Sequence, residues 1–229
     1  MIINLINKYE SLRQNPDFKQ TNASWNKSKI NHPKNVGYLM DTIYSISPKN
    51  YTEWESYFLS NIYSRDKIKE TALKFKDFIL QESKLERYKY FSDEFFIDCI
   101  ECRLIYETWL GYAAELAVIN QLKDLNPGIN FTHMLCEDDF KYAVDCMLHK
   151  DGKLKCGIQI KSEYYMINNS PILKSTKYTN KQKNKEFEEE YKVPVITCYY
   201  KRKYNKNNTI YIKLLVDKNV KNVQKIVSK

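Results

Sequence analysis

Two apolar runs meet at an Asp-Gly dipeptide in the second half of this chain, and that junction limits the fold more than any other feature. The runs are Ala143-Val144-Asp145-Cys146-Met147-Leu148 and Leu154-Lys155-Cys156-Gly157-Ile158-Gln159-Ile160-Lys161, separated by His149-Lys150-Asp151-Gly152-Lys153. Asp-Gly accepts the positive φ angles of a tight hairpin turn, so the pattern predicts two adjacent antiparallel strands. Side chains alternate across a strand, which puts Gln159 and Lys161 on one face and Ile158 and Ile160 on the other. A carboxylate early in the first strand, with an amide and an ammonium two residues apart in the second, can then converge on one point.

Before the hairpin the period changes from two to about 3.6. Apolar residues at Ile2, Leu5, Ile6, Tyr9 and Leu12 predict a first helix. Further helices are expected over 36–46, over 51–62, from Ser64 to Leu80, and from Ser92 onward. Residues 1–104 thus read as a helical region used for packing and for self-association through its aromatic helices. Its polar stretch between Asp17 and Pro33 mixes amides, hydroxyls, lysines and one indole. Asn22, Ser24, Trp25, Lys27 and Lys29 suit contact with phosphates and base edges, the alternative being a solvated loop pinned by Trp25. A helix over 107–122 follows, with Leu110, Ala114, Ala117, Val118 and Gln121 along one stripe and Glu115 among small and apolar neighbours. A carboxylate in that setting is costly unless something cationic meets it, or else it faces solvent. Asn126-Pro127-Gly128 stops the helix. A strand over 131–135 and an acidic turn over 136–139 lead into the hairpin; the acids at 137–139 either lie in a solvated turn or bind a cation.

After the hairpin comes a lysine-rich segment with Lys174, Lys177, Lys181 and Lys183 interleaved with amides and hydroxyls. Such a segment is either a solvated face or one that meets a polyanion. Strands over 193–200 and 209–216, a basic tip over 201–208 and a helix over 219–227 complete the chain. Lysine and arginine number 37 against 28 acids, a net charge of +9, and this balance favours a polyanionic partner such as double-stranded DNA. No apolar run reaches the length of a membrane span, and the first residues are too polar for a signal peptide, so a cytoplasmic protein without a membrane partner is expected. Six cysteines in a reducing compartment read as small buried thiols; Cys99 and Cys102 form the one C-x-x-C pair, with no second pair at zinc-ribbon distance.

The hairpin resembles the catalytic hairpin of the PD-(D/E)xK nucleases, the fold of many type II restriction endonucleases. Asp145 matches the family aspartate, Gln159 the acidic position of the (D/E)xK element, and Lys161 its lysine. Val144 stands where the family name has proline, and Gln159 makes this a QxK form. The layout of helical N-terminus, hairpin and late strands resembles the MjaI-type restriction endonucleases. The resemblance implies an α/β (α+β) fold: a mixed β-sheet core flanked by helices over 105–229, with residues 1–104 as a helical extension. It also implies a Mg²⁺-dependent endonuclease leaving 5′-phosphate and 3′-hydroxyl ends and working as a homodimer. Asp145, Glu115 and Gln159 would be the metal ligands, with Glu107 in reserve for Glu115, and Lys161 would be catalytic. Two alternatives share the basic surface: a DNA-binding protein without cleavage, and a repair or junction nuclease.

Overall fold

The chain divides into two units, Met1–Tyr112 and Ala113–Lys229. The structure, a computed structural model, describes residues 2–81, 83–204 and 210–228, with the side chains of 2–6, 83–85, 136, 137, 140, 204 and 210 left aside. The expected packing positions Ile2, Leu5 and Ile6, the acid Glu137 and the end of the basic tip, Asn205–Asn208, therefore lie outside the described residues.

The first unit is helical throughout: α1 (Ile2–Gln14), α2 (Pro16–Gln20), α3 (Asn22–Ser28), α4 (Pro33–Val36), α5 (Leu39–Ile46), α6 (Tyr51–Asn61), α7 (Arg65–Leu80), α8 (Asp93–Glu101) and the start of α9 (Glu107–Leu125). Its helices begin where side chains can take the first free N–H groups. Asn50 accepts from Glu53 N–H at 3.1 Å while the Glu53 carboxylate accepts from Lys49 N–H at 2.8 Å. Ser64 caps α7 through the backbone N–H of Lys67, so the lysine in the place of an acid does not prevent the cap. Between α8 and α9 the chain widens into a π-helical turn, Cys102–Tyr106. The Ile105 carbonyl there accepts the Trp54 indole N–H at 3.0 Å.

One expectation for this unit needs correction. The stretch after Asp17 is not an open polar segment, because α2 and α3 fold it and bury Thr21, Ser24 and Trp25. The driving group is Arg103, whose guanidinium stacks on Phe18, Trp25 and Phe75 at 4.5, 5.1 and 5.7 Å. It donates to the Phe18 carbonyl, Thr21 Oγ1 and Asn22 Oδ1. Ser24 and Trp25 are packing residues here. Of the aromatic side chains, Tyr9, Trp54, Phe58, Phe75, Phe96 and Tyr106 are buried in the unit's own interior, while Tyr38 and Tyr90 are exposed.

The second unit is a five-stranded sheet with helices on both faces. Its strands are β1 (Ile129–His133), β2 (Cys146–Lys150), β3 (Lys153–Ser162), β4 (Val195–Tyr204) and β5 (Ile210–Leu214), and they lie side by side in that order. β1, β2 and β3 form an antiparallel meander. β4 runs parallel to β3, and β5 antiparallel to β4. The β2–β3 connection is the Asp151-Gly152 turn, with φ of 52° and 71° between the paired Lys150 and Lys153, the geometry that Asp-Gly favours. A parallel step needs a long crossover, supplied by α11 (Glu163–Ile167) and α12 (Pro171–Tyr191). The lysine-rich segment is this 21-residue helix.

Alternation along β3 gives the sheet its two faces. Cys156, Ile158 and Ile160 enter one core with Val118 and Leu122 of α9 and Val220, Val223 and Val227 of α13 (Lys218–Val227). On the other side Phe187 of α12, Tyr142 and Val144 form a smaller core. There Gly157 lets Phe187 come close: a Cβ at that position would sit 2.9 Å from the phenyl ring and 3.1 Å from Val144. Gln121 of α9 closes the β5 edge, donating to the Ile212 carbonyl and accepting from Leu214 N–H at 3.0 Å. The expected acidic turn over 136–139 is instead a helix, α10 (Cys136–Tyr142), capped by Ala143 at φ 54°. Among the described residues no helix is long and apolar enough to cross a membrane.

Candidate active site

The site forms where β2 stops short of its neighbour. The first ladder pair of β2 and β3 is Cys146 with Ile158, which leaves the Ile160 N–H beyond the last rung. The Asp145 carboxylate fills that vacancy, Oδ2 accepting from Ile160 N–H. The same oxygen lies 3.5 Å from Lys161 Nζ. Asp145 is 8% exposed, so its charge is withdrawn from water and depends on these donors.

Lys161 has more acids around it than the hairpin provides. Burial pulls its ammonium toward the neutral form, but Asp145, then Asp139, then Glu115 act against that, and the balance holds its pKa above the ordinary lysine value. Glu115 on α9 is half-buried, and its charge, with that of Asp145, also reinforces the rise that burial gives the Cys146 thiol. Asp145 and Lys161 are thus in contact, and Glu115 is near enough for its charge to act on Lys161 and Cys146. Glu107 belongs to the first unit, 3.4 Å from Arg13.

Gln159 is 2% exposed and its amide is engaged at both ends. Nε2 donates to the Ala143 carbonyl at 2.8 Å, and Oε1 accepts from Thr197 Oγ1 at 3.2 Å. The Ala143 carbonyl can only accept, so the amide nitrogen must face it and the orientation is fixed. Ala143 is the left-handed residue that turns the chain from α10 into Asp145. Gln159 thus clamps the segment that delivers the carboxylate.

Two further neighbours complete these surroundings. Asp139, one of the acids over 137–139 that the sequence allows either in a solvated turn or at a cation, lies on α10, and its charge reaches Lys161. Thr197 had a signal, a hydroxyl inside the apolar strand 193–200. Its register partner on β3 is Gln159.

The residues expected to meet DNA are scattered. Lys174 and Lys181 are exposed on α12, while Lys177 donates to the Asn168 carbonyl at 2.8 Å and Lys183 is half-buried. Lys27 and Lys29 are exposed in the first unit, Asn22 is held by Arg103, and Ser24 and Trp25 are buried. Among the described residues, no group of three or more His, Cys, Asp or Glu is set out to hold a metal ion. The buried thiols Cys99 and Cys102 have pKa values raised by burial, as expected of inert packing residues.

A mixed sheet with an acid–lysine pair at a strand end and a lysine-rich crossover helix in the same unit has the makings of an enzyme that acts on a polyanion. The family comparison gives this a name: residues 21–214 match the family model of the MjaI restriction endonuclease, and the chain belongs to that family. It is accordingly a restriction endonuclease, a nuclease that acts on DNA. No curated protein and no solved structure matches the chain.

Proposed function

We propose that the protein is a type II enzyme of the PD-(D/E)xK kind, cutting both strands of double-stranded DNA at a specific sequence and leaving 5′-phosphate and 3′-hydroxyl ends. The observation that carries this reading is Lys161 Nζ at 3.5 Å from Asp145 Oδ2, at a strand end where Glu115 and Asp139 also act on the lysine.

Phosphodiester hydrolysis builds negative charge on the phosphoryl oxygens and on the leaving oxygen. Lys161, kept cationic by its three carboxylates, cannot serve as the general base at neutral pH. It stabilises the growing charge on the phosphate and orients the attacking water by hydrogen bonding. Asp145 has Oδ2 committed to Ile160 and Lys161, which leaves Oδ1 to face a cation, with the Glu115 carboxylate as the second donor. Hard oxygen donors suit Mg²⁺, which needs few protein ligands because it keeps waters and takes phosphate oxygens. When bound, Mg²⁺ supplies neutralising charge at the phosphate and a lower water pKa. Gln159 serves by holding Ala143 and hence Asp145 in place, and the second lone pair of its Oε1 stays open to a metal-bound water.

Incubation with phage DNA tests the proposal. Discrete fragments with Mg²⁺ and none with EDTA are expected. Smearing or structure-selective nicking would point to a repair nuclease, and binding without cuts to a non-enzyme. A two-fold protein matches a palindromic site, so we also propose a homodimer. Sedimentation that gives a monomer with and without DNA would sink that part.

A further inference from the structure

Helix α12 carries its charges in the order that a helix resists. The helix dipole favours acids in the first turn and bases in the last, yet α12 has no acid in its first turn and no base in its last. Lys174, Lys177, Lys181, Lys183 and Lys185 stand between Pro171 and Lys185 with no acid among them, and Glu186, Glu188, Glu189 and Glu190 follow. Two of the acids have local work: Glu188 Oε1 accepts from Val195 N–H at 2.8 Å, and Glu190 Oε2 from the Tyr142 hydroxyl at 2.6 Å. The lysines divide differently. Lys177 braces the preceding loop through the Asn168 carbonyl. Lys174, Lys181 and Lys185 are exposed and make no ion pair or hydrogen bond among the described residues. A local preference broken without local compensation marks a functional surface.

Helical geometry sorts the exposed face into two lines. Lys174, Tyr178, Lys181 and Lys185 are spaced four, three and four residues apart and form one stripe. Ser175, Thr179 and Gln182 form the next, and all three are exposed. Leu173, Asn180, Phe187 and Tyr191 turn the other way and are buried or half-buried. Tyr178, 67% exposed, stands in the middle of the lysine stripe.

We propose that this exposed face of α12 enters the major groove of DNA, with the lysine stripe gripping phosphates and the Ser175–Thr179–Gln182 line reading base edges. This rests on the nuclease reading above. A major groove admits an α-helix, and residues 171–185 extend about 22 Å, enough to lie along it. The helix is held as a fixed element: Asn180 Nδ2 donates to the Tyr165 hydroxyl at 3.2 Å, and α11 leads directly from the strand that bears Gln159 and Lys161. Groove register is thereby tied to the site of cleavage. A two-fold contact centred on Tyr178 would set Lys174 and Lys181 of one copy against the lysines of the other, which disfavours a second copy on this stripe.

The test uses binding alone, in the full-length protein without Mg²⁺: duplexes selected from a randomised pool are sequenced, and the salt dependence of affinity is measured. Thr179→Ala with Gln182→Ala removes sequence preference at one or two base positions, lowering discrimination there on the order of 10- to 100-fold, with affinity for unrelated duplex unchanged. Lys174→Ala and Lys181→Ala weaken binding to every duplex alike and each reduce the slope of log affinity against log salt by about 1. These residues are exposed, so unchanged thermal unfolding is expected. Wild-type preference in the Thr179/Gln182 variant, an unchanged salt slope in the lysine variants, or a wild-type protein that selects no sequence would each overturn the proposal. A variant that changes sedimentation but not DNA binding would do so too, and would assign the face to a second copy. Cutting by the wild type with Mg²⁺, together with any of these results, sinks the α12 assignment and leaves the nuclease reading standing.

Discussion

Both units bury charge, but they neutralise it in different ways. In the first, Arg103 is surrounded by neutral dipoles and aromatic faces, and Glu101 accepts from the Tyr9 hydroxyl at 2.8 Å. Through Arg103 Nη2 and the Glu101 carboxylate these groups hold helices together. In the second, Asp145, Lys161, Glu115 and Asp139 act on one another at a strand end, and the lysines of α12 face outward. In the first unit dipoles and rings answer Arg103 while Glu101 also pairs with Arg65 at 3.4 Å; in the second, several carboxylates act on one lysine at a sheet end.

The sharpest way to break this contrast is Lys161→Ala. Removing a group that stabilises charge in the transition state should lower cleavage by about 100- to 1,000-fold or more, with thermal unfolding and DNA affinity nearly unchanged. Retained cutting would reduce the pair to a structural one, like those of the first unit. Next is Arg103→Met, which leaves Thr21 Oγ1 and Asn22 Oδ1 without the guanidinium that donates to them. We expect a loss of roughly 2–4 kcal/mol. All three tryptophans, Trp25, Trp54 and Trp109, lie in the first unit, so indole fluorescence during urea unfolding reads that unit alone.

Gln159→Glu separates clamp from ligand by sign. A carboxylate facing the Ala143 carbonyl is repelled, so cleavage should fall about tenfold, corresponding to about 1.4 kcal/mol, and Mg²⁺ affinity measured by calorimetry should not improve. Tighter metal binding with retained activity would instead make position 159 a ligand.

The smallest effect is one of pH. Burial raises the Glu101 pKa above 4.5, with the Tyr9 hydroxyl, Lys8 and Arg65 partly offsetting it. A carboxyl that holds its proton more tightly when folded contributes stability that is fully present below pH 4.5 and is lost as pH rises through the raised value. Glu101→Gln should flatten that decline, seen as a smaller change in the fluorescence-detected midpoint between pH 4.5 and 7. Lys161 has its pKa raised too, so its contribution persists through neutral pH and is lost only above 10.5.

Much of the fold could be read from periodicity. The hairpin, the late strands, the C-terminal helix and most first-unit helices follow from local spacing. Helix α12 escaped because its inward stripe, Leu173, Lys177, Asn180, Asn184 and Phe187, holds few apolar residues, so no amphipathic pattern stands out from the lysines. The segment from Asp17 to Lys29 misled for a related reason: Thr21 and Asn22 are bound to Arg103, a partner some eighty residues away. At the site, Asp145, Gln159 and Lys161 could be read because a hairpin's register is local. The clamp on Ala143 could not, because it depends on one left-handed residue at the end of α10.

The sequence by itself determined that an acid, an amide and an ammonium would ride on neighbouring strands, because side-chain alternation and the Asp-Gly turn act over a few residues. Only the tertiary structure decided which further charges join them and what each does. Glu115, Asp139 and Thr197 come from three separate elements. Whether a carboxylate meets a lysine, or an amide is free or tied, depends on how those elements pack.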